Sequence, residues 1–269
     1  MSNIIAEEVL HAVMEDADEL KPGNPIHSTD GAREYGFRAA LVGGATVYGW
    51  AVRTIVSVLG ERWLQDGWAH VRFRKPVYPN DELHVRVFED HGFSVGATDD
   101  VAVVGEVGLG PAPWIGELGY PTTLVPSARA VGVPLLTPDN VPVGRDLAPR
   151  AVPLGVDEAI AFARDQERET LGVFFGASPF VHPAWLASQP IYLLHHSYDY
   201  GPAIHAESHI QHLGVARAGQ DFLVAGRCVA AYARKGHQYV VNDCLIRSAN
   251  GHDVARIRHT AIYHVAKRT

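Results

Sequence analysis

Asn24-Pro25-Ile26-His27 sets an imidazole at the end of a short polar turn, ahead of a stretch that from Ala39 to Gly60 carries a single charge, Arg53. Histidine titrates closest to neutrality, so an imidazole at the mouth of a buried helix suits general acid or base work. It also suits a structural task, donating to a turn carbonyl and capping the segment. A nearby carboxylate would complete an acid–base pair. Just upstream lie Asp16, Asp18 and Glu19 in MEDADELKPG, where a looped LKPG can carry Asp18 or Glu19 back toward His27. They also read as the solvated end of a first helix. Two residues before Asn24 stands Pro22, which has no ionisable group and stiffens the turn. Asn24 reads as a brace for the loop.

Other histidines offer less. His182, in VHPAW, reads as a helix cap or a buried packing residue. His195, His196, His205 and His209 have no recognised ligand spacing, so no metal is expected. RKGHQ, Arg234 to Gln238, reads as a strand-to-strand turn with solvated cations.

The elements that position these residues follow from composition and pattern. The chain has 269 residues, 47% apolar and 20% charged, with a formal net charge of -7. That is a soluble globular composition, and without a basic run it gives no reason to expect nucleic acid. Cys228 and Cys244 sit in apolar surroundings and read as reduced thiols, which suits a cytoplasmic protein. The N-terminal segment turns acidic and does not read as a signal peptide. Ala39 to Gly60 carries Arg53 and several glycines, so it reads as a core helix and not a membrane span.

A repeat is visible. HVRFRKPVYPNDELHV from His70 and HIQHLGVARAGQDFLV from His209 share a strand–turn–strand pattern, starting 139 residues apart. At the same offset GFRAALVGGATVYGW, Gly36 to Trp50, falls on FGASPFVHPAWLASQ, Phe175 to Gln189. Each half reads as a turn-rich entry, one long apolar helix and several period-2 strands. These are 67–75, 81–90 and 101–109, then 203–213, 221–233, 237–248 and 253–265. The proline-rich stretch between the halves shows little periodicity and reads as a linker. The division expected is 1–110 for the first repeat, with the NPIH motif, 111–152 for the linker and 153–269 for the second repeat. DEAIAFARDQERETLG reads as an amphipathic helix, so the second half has no counterpart of the NPIH turn.

NPIH…GF followed by VRFRKPVYPNDEL resembles the MaoC-like (R)-specific enoyl-CoA hydratases and 3-hydroxyacyl dehydratases, and the second half resembles the partner repeat of their double-hotdog members. The resemblance implies an α+β double hotdog, two curved antiparallel sheets each wrapped round one helix. It implies hydration of an enoyl thioester or dehydration of a 3-hydroxyacyl thioester, a hydro-lyase activity of fatty-acid metabolism. The substrate implied is an acyl-CoA or acyl-carrier thioester, with no cofactor, and a homodimer of double hotdogs is left open. The family motif is D-x-N-P-[IL]-H with a His-Gly-Met triplet at the helix entrance. Asn24 to His27 match its second part and Gly44 matches the glycine whose N–H polarises the carbonyl. Pro22 stands for the aspartate, Gly43 for the triplet histidine and Ala45 for the methionine.

The site residues expected on this basis are His27, Gly44 and a replacement acid, Glu19 or Asp18, for chemistry, with Asn24, Gly43 and Tyr48 for substrate. Phe37, Tyr48 and Trp50 read either as the lining of a tunnel for a bulky or long acyl group or as helix core. With the aspartate replaced, a non-catalytic thioester- or small-ligand-binding protein is the alternative. A thioesterase in the same pocket would need a carboxylate on the central helix, and Leu41 to Leu59 carries none.

Overall fold

The computed structural model describes residues 2–14 and 24–266. In the first half lie β1 (Ile4–His11), β2 (Gly67–Phe73), β3 (Glu82–Phe88), β4 (Gly92–Ala97) and β5 (Asp100–Leu109). The second half holds β6 (Asp146–Leu154), β7 (Ile204–His212), β8 (Gln220–Arg234), β9 (His237–Ser248) and β10 (Asp253–His264). All ten join one antiparallel sheet in the order β1-β3-β4-β5-β2-β7-β10-β9-β8-β6. Read inward from either edge, the two halves follow the same order, with β6 to β10 answering β1 to β5. This is the α+β double hotdog.

The halves meet where β2 pairs with β7, and His70 lies directly opposite His209. Residues at the repeat offset facing each other across an antiparallel pair mark the axis that exchanges the repeats. The helices obey the same offset. After α1 (Thr29–Glu34), α2 (Gly44–Gly49) continues through helical Trp50 and Ala51 into α3 (Val52–Leu59) and then α4 (Trp63–Asp66). In the second half α5 (Val156–Ala161) is followed by α6 (Pro183–Ser197), which starts at the position equivalent to Gly44. Both central helices are buried, α2–α3 through Val47, Tyr48, Val52 and Ile55, and α6 through Trp185, Leu186, Leu193 and Leu194. They approach closely at Gly49, where a Cβ would meet the Ala184 Cβ at 2.7 Å.

Several expectations need correction. The central helix starts at Gly44 and not Ala39, because the chain before it runs alongside neighbouring segments, Leu41 N–H donating to Ile26 O and Val42 N–H to Val77 O. The N-terminal segment is an edge strand and not a helix; Glu7 is paired with Arg86 of β3 and Glu8 with Arg53 of α3. β4, GFSVGA, has too few apolar residues to announce itself. The helix read across residues 157–172 ends in a π-helical turn, Phe162–Gln166, after which the chain folds back. β6 crosses the boundary placed at 152. The stretch before it lies on the outer sheet face, held by Arg258 Nη2–H to Glu117 O at 2.8 Å and Gly119 N–H to buried Asp243 Oδ2 at 2.5 Å. Among the described residues no helix is long and apolar enough to cross a membrane.

Candidate functional site

Pro25, Ile26 and His27 form a single 3-10 turn, and buried Ile26 pins it to a small cluster with Ala32 and Leu41. His27 donates Nδ1–H to Leu41 O over 2.7 Å; a carbonyl can only accept, so Nε2 carries the lone pair. Burial lowers the His27 pKa, opposed by the bond to Leu41, and the ring is neutral at neutral pH. Asn24 braces the turn as expected. Its Oδ1 accepts from Ala203 N–H at 3.0 Å and its Nδ2 donates to Ala203 O, tying the turn to the start of β7 in the other repeat.

Gly43 and Gly44 open α2, whose first-turn amides have no intrahelical acceptor. A Cβ on Gly43 would lie 3.9 Å from His27 Cε1. A Cβ on Gly44 would collide with His205, 2.9 Å from its Cβ and 3.0 Å from its Nδ1. Two histidines from different repeats therefore flank consecutive residues of the helix entrance. Nothing in the sequence pattern marks His205, because alternation puts it on the outer face with Glu207 and His209. β7 bulges between the pairs Glu207–Thr260 and His205–Ala261, leaving Ala206 unpaired and turning His205 inward.

A cavity of about 1100 Å³ opens here, lined by Asn24, His27, Gly43, Gly44 and Phe37 of the first repeat and by His205, His259 and α6 residues of the second. Exposed Arg74, Lys75 and Lys235 mark its open side. Among the described residues no carboxylate lines it. Asp16, Asp18 and Glu19 lie outside the described residues; Met14 and Asn24, which flank that stretch, both line the cavity. Tyr48 does not line it: one turn along α2 its ring is fully buried in the core, its hydroxyl unpartnered and its pKa raised by burial. Trp50 is core as well.

The second repeat places a closed polar cluster at the equivalent level. His182 caps α6, Nδ1 accepting from Ala184 N–H at 3.2 Å, and its Nε2 lies 3.6 Å from Glu169 Oε2. Glu169 also accepts from the amides of Thr170 and Leu171; burial pushes its pKa up, and His182 with these amides brings it below the ordinary value. Glu167, 4% exposed, has neither oxygen partnered. Burial, then the charge on Glu169, holds its pKa well above the usual carboxylate range. The amphipathic helix expected over residues 157–172 singles out neither acid.

The four histidines weighed as metal ligands do not converge. His195 stacks on Tyr200, His196 Nε2 meets Ser127 O, His205 faces inward and His209 outward onto His70. His70, Glu207 and His209 do bring donor atoms within 4.8 Å of one another. The imidazoles, however, are stacked 3.9 Å apart at 18°, which aims their lone pairs side by side, and burial with His70, Arg258 and Arg72 nearby lowers the His209 pKa to about 4.

No family model and no curated protein matches the chain. Solved structures match its fold. A candidate MaoC domain dehydratase from Chloroflexus aurantiacus J-10-fl superimposes with a TM-score of 0.61 at 16% identity, covering 99% of this chain and 96% of its own. GphF Dehydratase 1 gives 0.55 at 16% identity, covering 88% and 91%. A candidate thioesterase from Novosphingobium aromaticivorans gives 0.50 at 12% identity, covering 96% and 95%. At such identities the likeness is one of fold.

Proposed function

We propose that this chain hydrates an enoyl thioester or dehydrates a 3-hydroxyacyl thioester, with His27 as the group that takes the proton from water in hydration. The observation that carries the reading is the His27 geometry. A neutral imidazole, fixed through Nδ1 and with Nε2 unprotonated, stands beside the Gly43–Gly44 helix entrance at the wall of a large cavity. Water addition needs a base within hydrogen-bond reach of the water and a donor where enolate charge builds up. The Gly44 N–H is the donor. The exposed cations at the open side suit the phosphates of coenzyme A or a carrier, and the spread of the cavity along Ala187, Ser188 and Ile191 of α6 suits a bulky or long acyl group. In this reading residues 1–110 carry the chemistry, and the second repeat, with β6, completes the cavity wall.

A second reading, a non-catalytic acyl-thioester binder, draws support from the lack of a carboxylate among the described lining residues. Incubation with crotonyl-CoA and with a bulky enoyl-CoA separates the readings. Loss of the conjugated double bond without thiol release is the expected result. Thiol release would indicate a thioesterase, and saturable binding with neither reaction would indicate the binder. Asp18→Asn and Glu19→Gln, assayed alongside, measure whether either acid contributes.

A further inference from the structure

His205 belongs to a chain of three polar side chains on the inner sheet face. Its Nε2 lies 2.7 Å from Ser208 Oγ, and Ser208 Oγ lies 3.2 Å from His259 Nδ1. The two rings are 4.2 Å apart, and Phe73 closes the other side of His205 at 4.3 Å. His259 is 1% exposed and lines the cavity, and its Nε2 has no partner. A hydroxyl between two imidazoles donates to one and accepts from the other. A buried N–H without an acceptor is rarer than a buried lone pair without a donor, so the unpartnered Nε2 of His259 carries the lone pair. His259 Nδ1–H then donates to Ser208, Ser208 donates to His205 Nε2, and the His205 proton sits on Nδ1, the atom packed against Gly44.

We propose that His205 is the second proton-transfer group of this cavity, working opposite His27 across the Gly43–Gly44 step in place of a carboxylate. The inference rests on the hydration reading above. In hydration His27 Nε2 removes a proton from water as the water oxygen bonds to Cβ, and the alkene electron pair moves onto the thioester oxygen beside the Gly44 N–H. Collapse of that enolate draws the proton of His205 Nδ1 onto Cα. Water in the cavity carries the proton held by the His27 imidazolium back to His205 Nδ1 in the same step, so both imidazoles end neutral and no net charge stays in the site. Ser208, accepting from buried His259 Nδ1–H and donating to His205 Nε2, keeps the His205 proton on Nδ1. Burial holds both rings neutral: it lowers the His205 pKa well below 6.5, with His259 adding and a Glu207 backbone contact opposing, and it takes His259 to about 3. A neutral donor is therefore what this environment permits. Asn24 sets its spacing, since it holds Ala203 two residues before His205.

The test compares wild type, His205→Gln and Ser208→Ala on enoyl-CoA, with circular dichroism and thermal unfolding as fold controls. His205→Gln is expected to lose roughly 10²- to 10⁴-fold in kcat, the usual range for one acid–base group, with KM within a few-fold of wild type. Ser208→Ala leaves both rings in place and is expected to lower kcat at least tenfold at unchanged KM. It decides the question if His205→Gln does not fold. A folded His205→Gln or Ser208→Ala with wild-type kcat overturns the inference and leaves the hydratase reading standing. A wild type that hydrates nothing overturns both.

Discussion

His27 donates Nδ1–H to Leu41 O over 2.7 Å, and that one bond leaves Nε2 unprotonated on a ring that lines the cavity. Burial, the larger influence, lowers the His27 pKa below 6.5. A base works in its neutral form, so activity falls as pH drops through this lowered value. The kcat/KM for hydration is expected to fall along an acid limb whose midpoint lies below 6.5. An acid limb centred above 6.5 would contradict this placement of the ring.

The two entrance glycines should respond differently to a methyl group. On Gly44 it meets the His205 Cβ at 2.9 Å, so something must shift, whereas on Gly43 the closest contacts are an ordinary 3.9 Å. Overpacking of this kind costs about 1–3 kcal/mol. Denaturant unfolding should show that loss for Gly44→Ala and a far smaller one for Gly43→Ala. Equal effects would mean that His205 does not lie against the entrance.

Glu167 makes a prediction about stability and pH. Its pKa is raised in the folded state, so above about pH 4.5 the unfolded chain releases this proton while the folded chain retains it. Stability contributed by the protonated group is complete below that pH. It is lost as pH rises toward the folded value, at up to about 1.4 kcal/mol per pH unit. Glu167→Gln, a neutral mimic, should remove this component, seen as the difference between the two unfolding free energies across pH 4.5 to 8. An unchanged difference would show that Glu167 ionises freely.

The sequence made the second repeat's strands legible because they alternate cleanly, and the repeat offset legible because His70 and His209 lie within matching strands on the axis itself. β1 was obscured by Glu7 and Glu8, whose partners Arg86 and Arg53 come from β3 and α3 and cannot be read from the segment alone. At the site the local motif was legible, Asn24 as brace and His27 at the helix mouth. His205 was not, because a bulge depends on how β7 registers against β10. Glu167 and Glu169 were not legible for the same reason. Their burial comes from Gly49 on a helix more than a hundred residues earlier and from His182 on α6.

The most direct test of the account is hydration of enoyl-CoA by wild type and His27→Ala, measured side by side on folded protein. The account predicts saturable hydration by wild type and a loss of roughly 10²- to 10⁴-fold in kcat/KM for the variant, the range expected when one acid–base group is removed. Equal rates for the two proteins would contradict it.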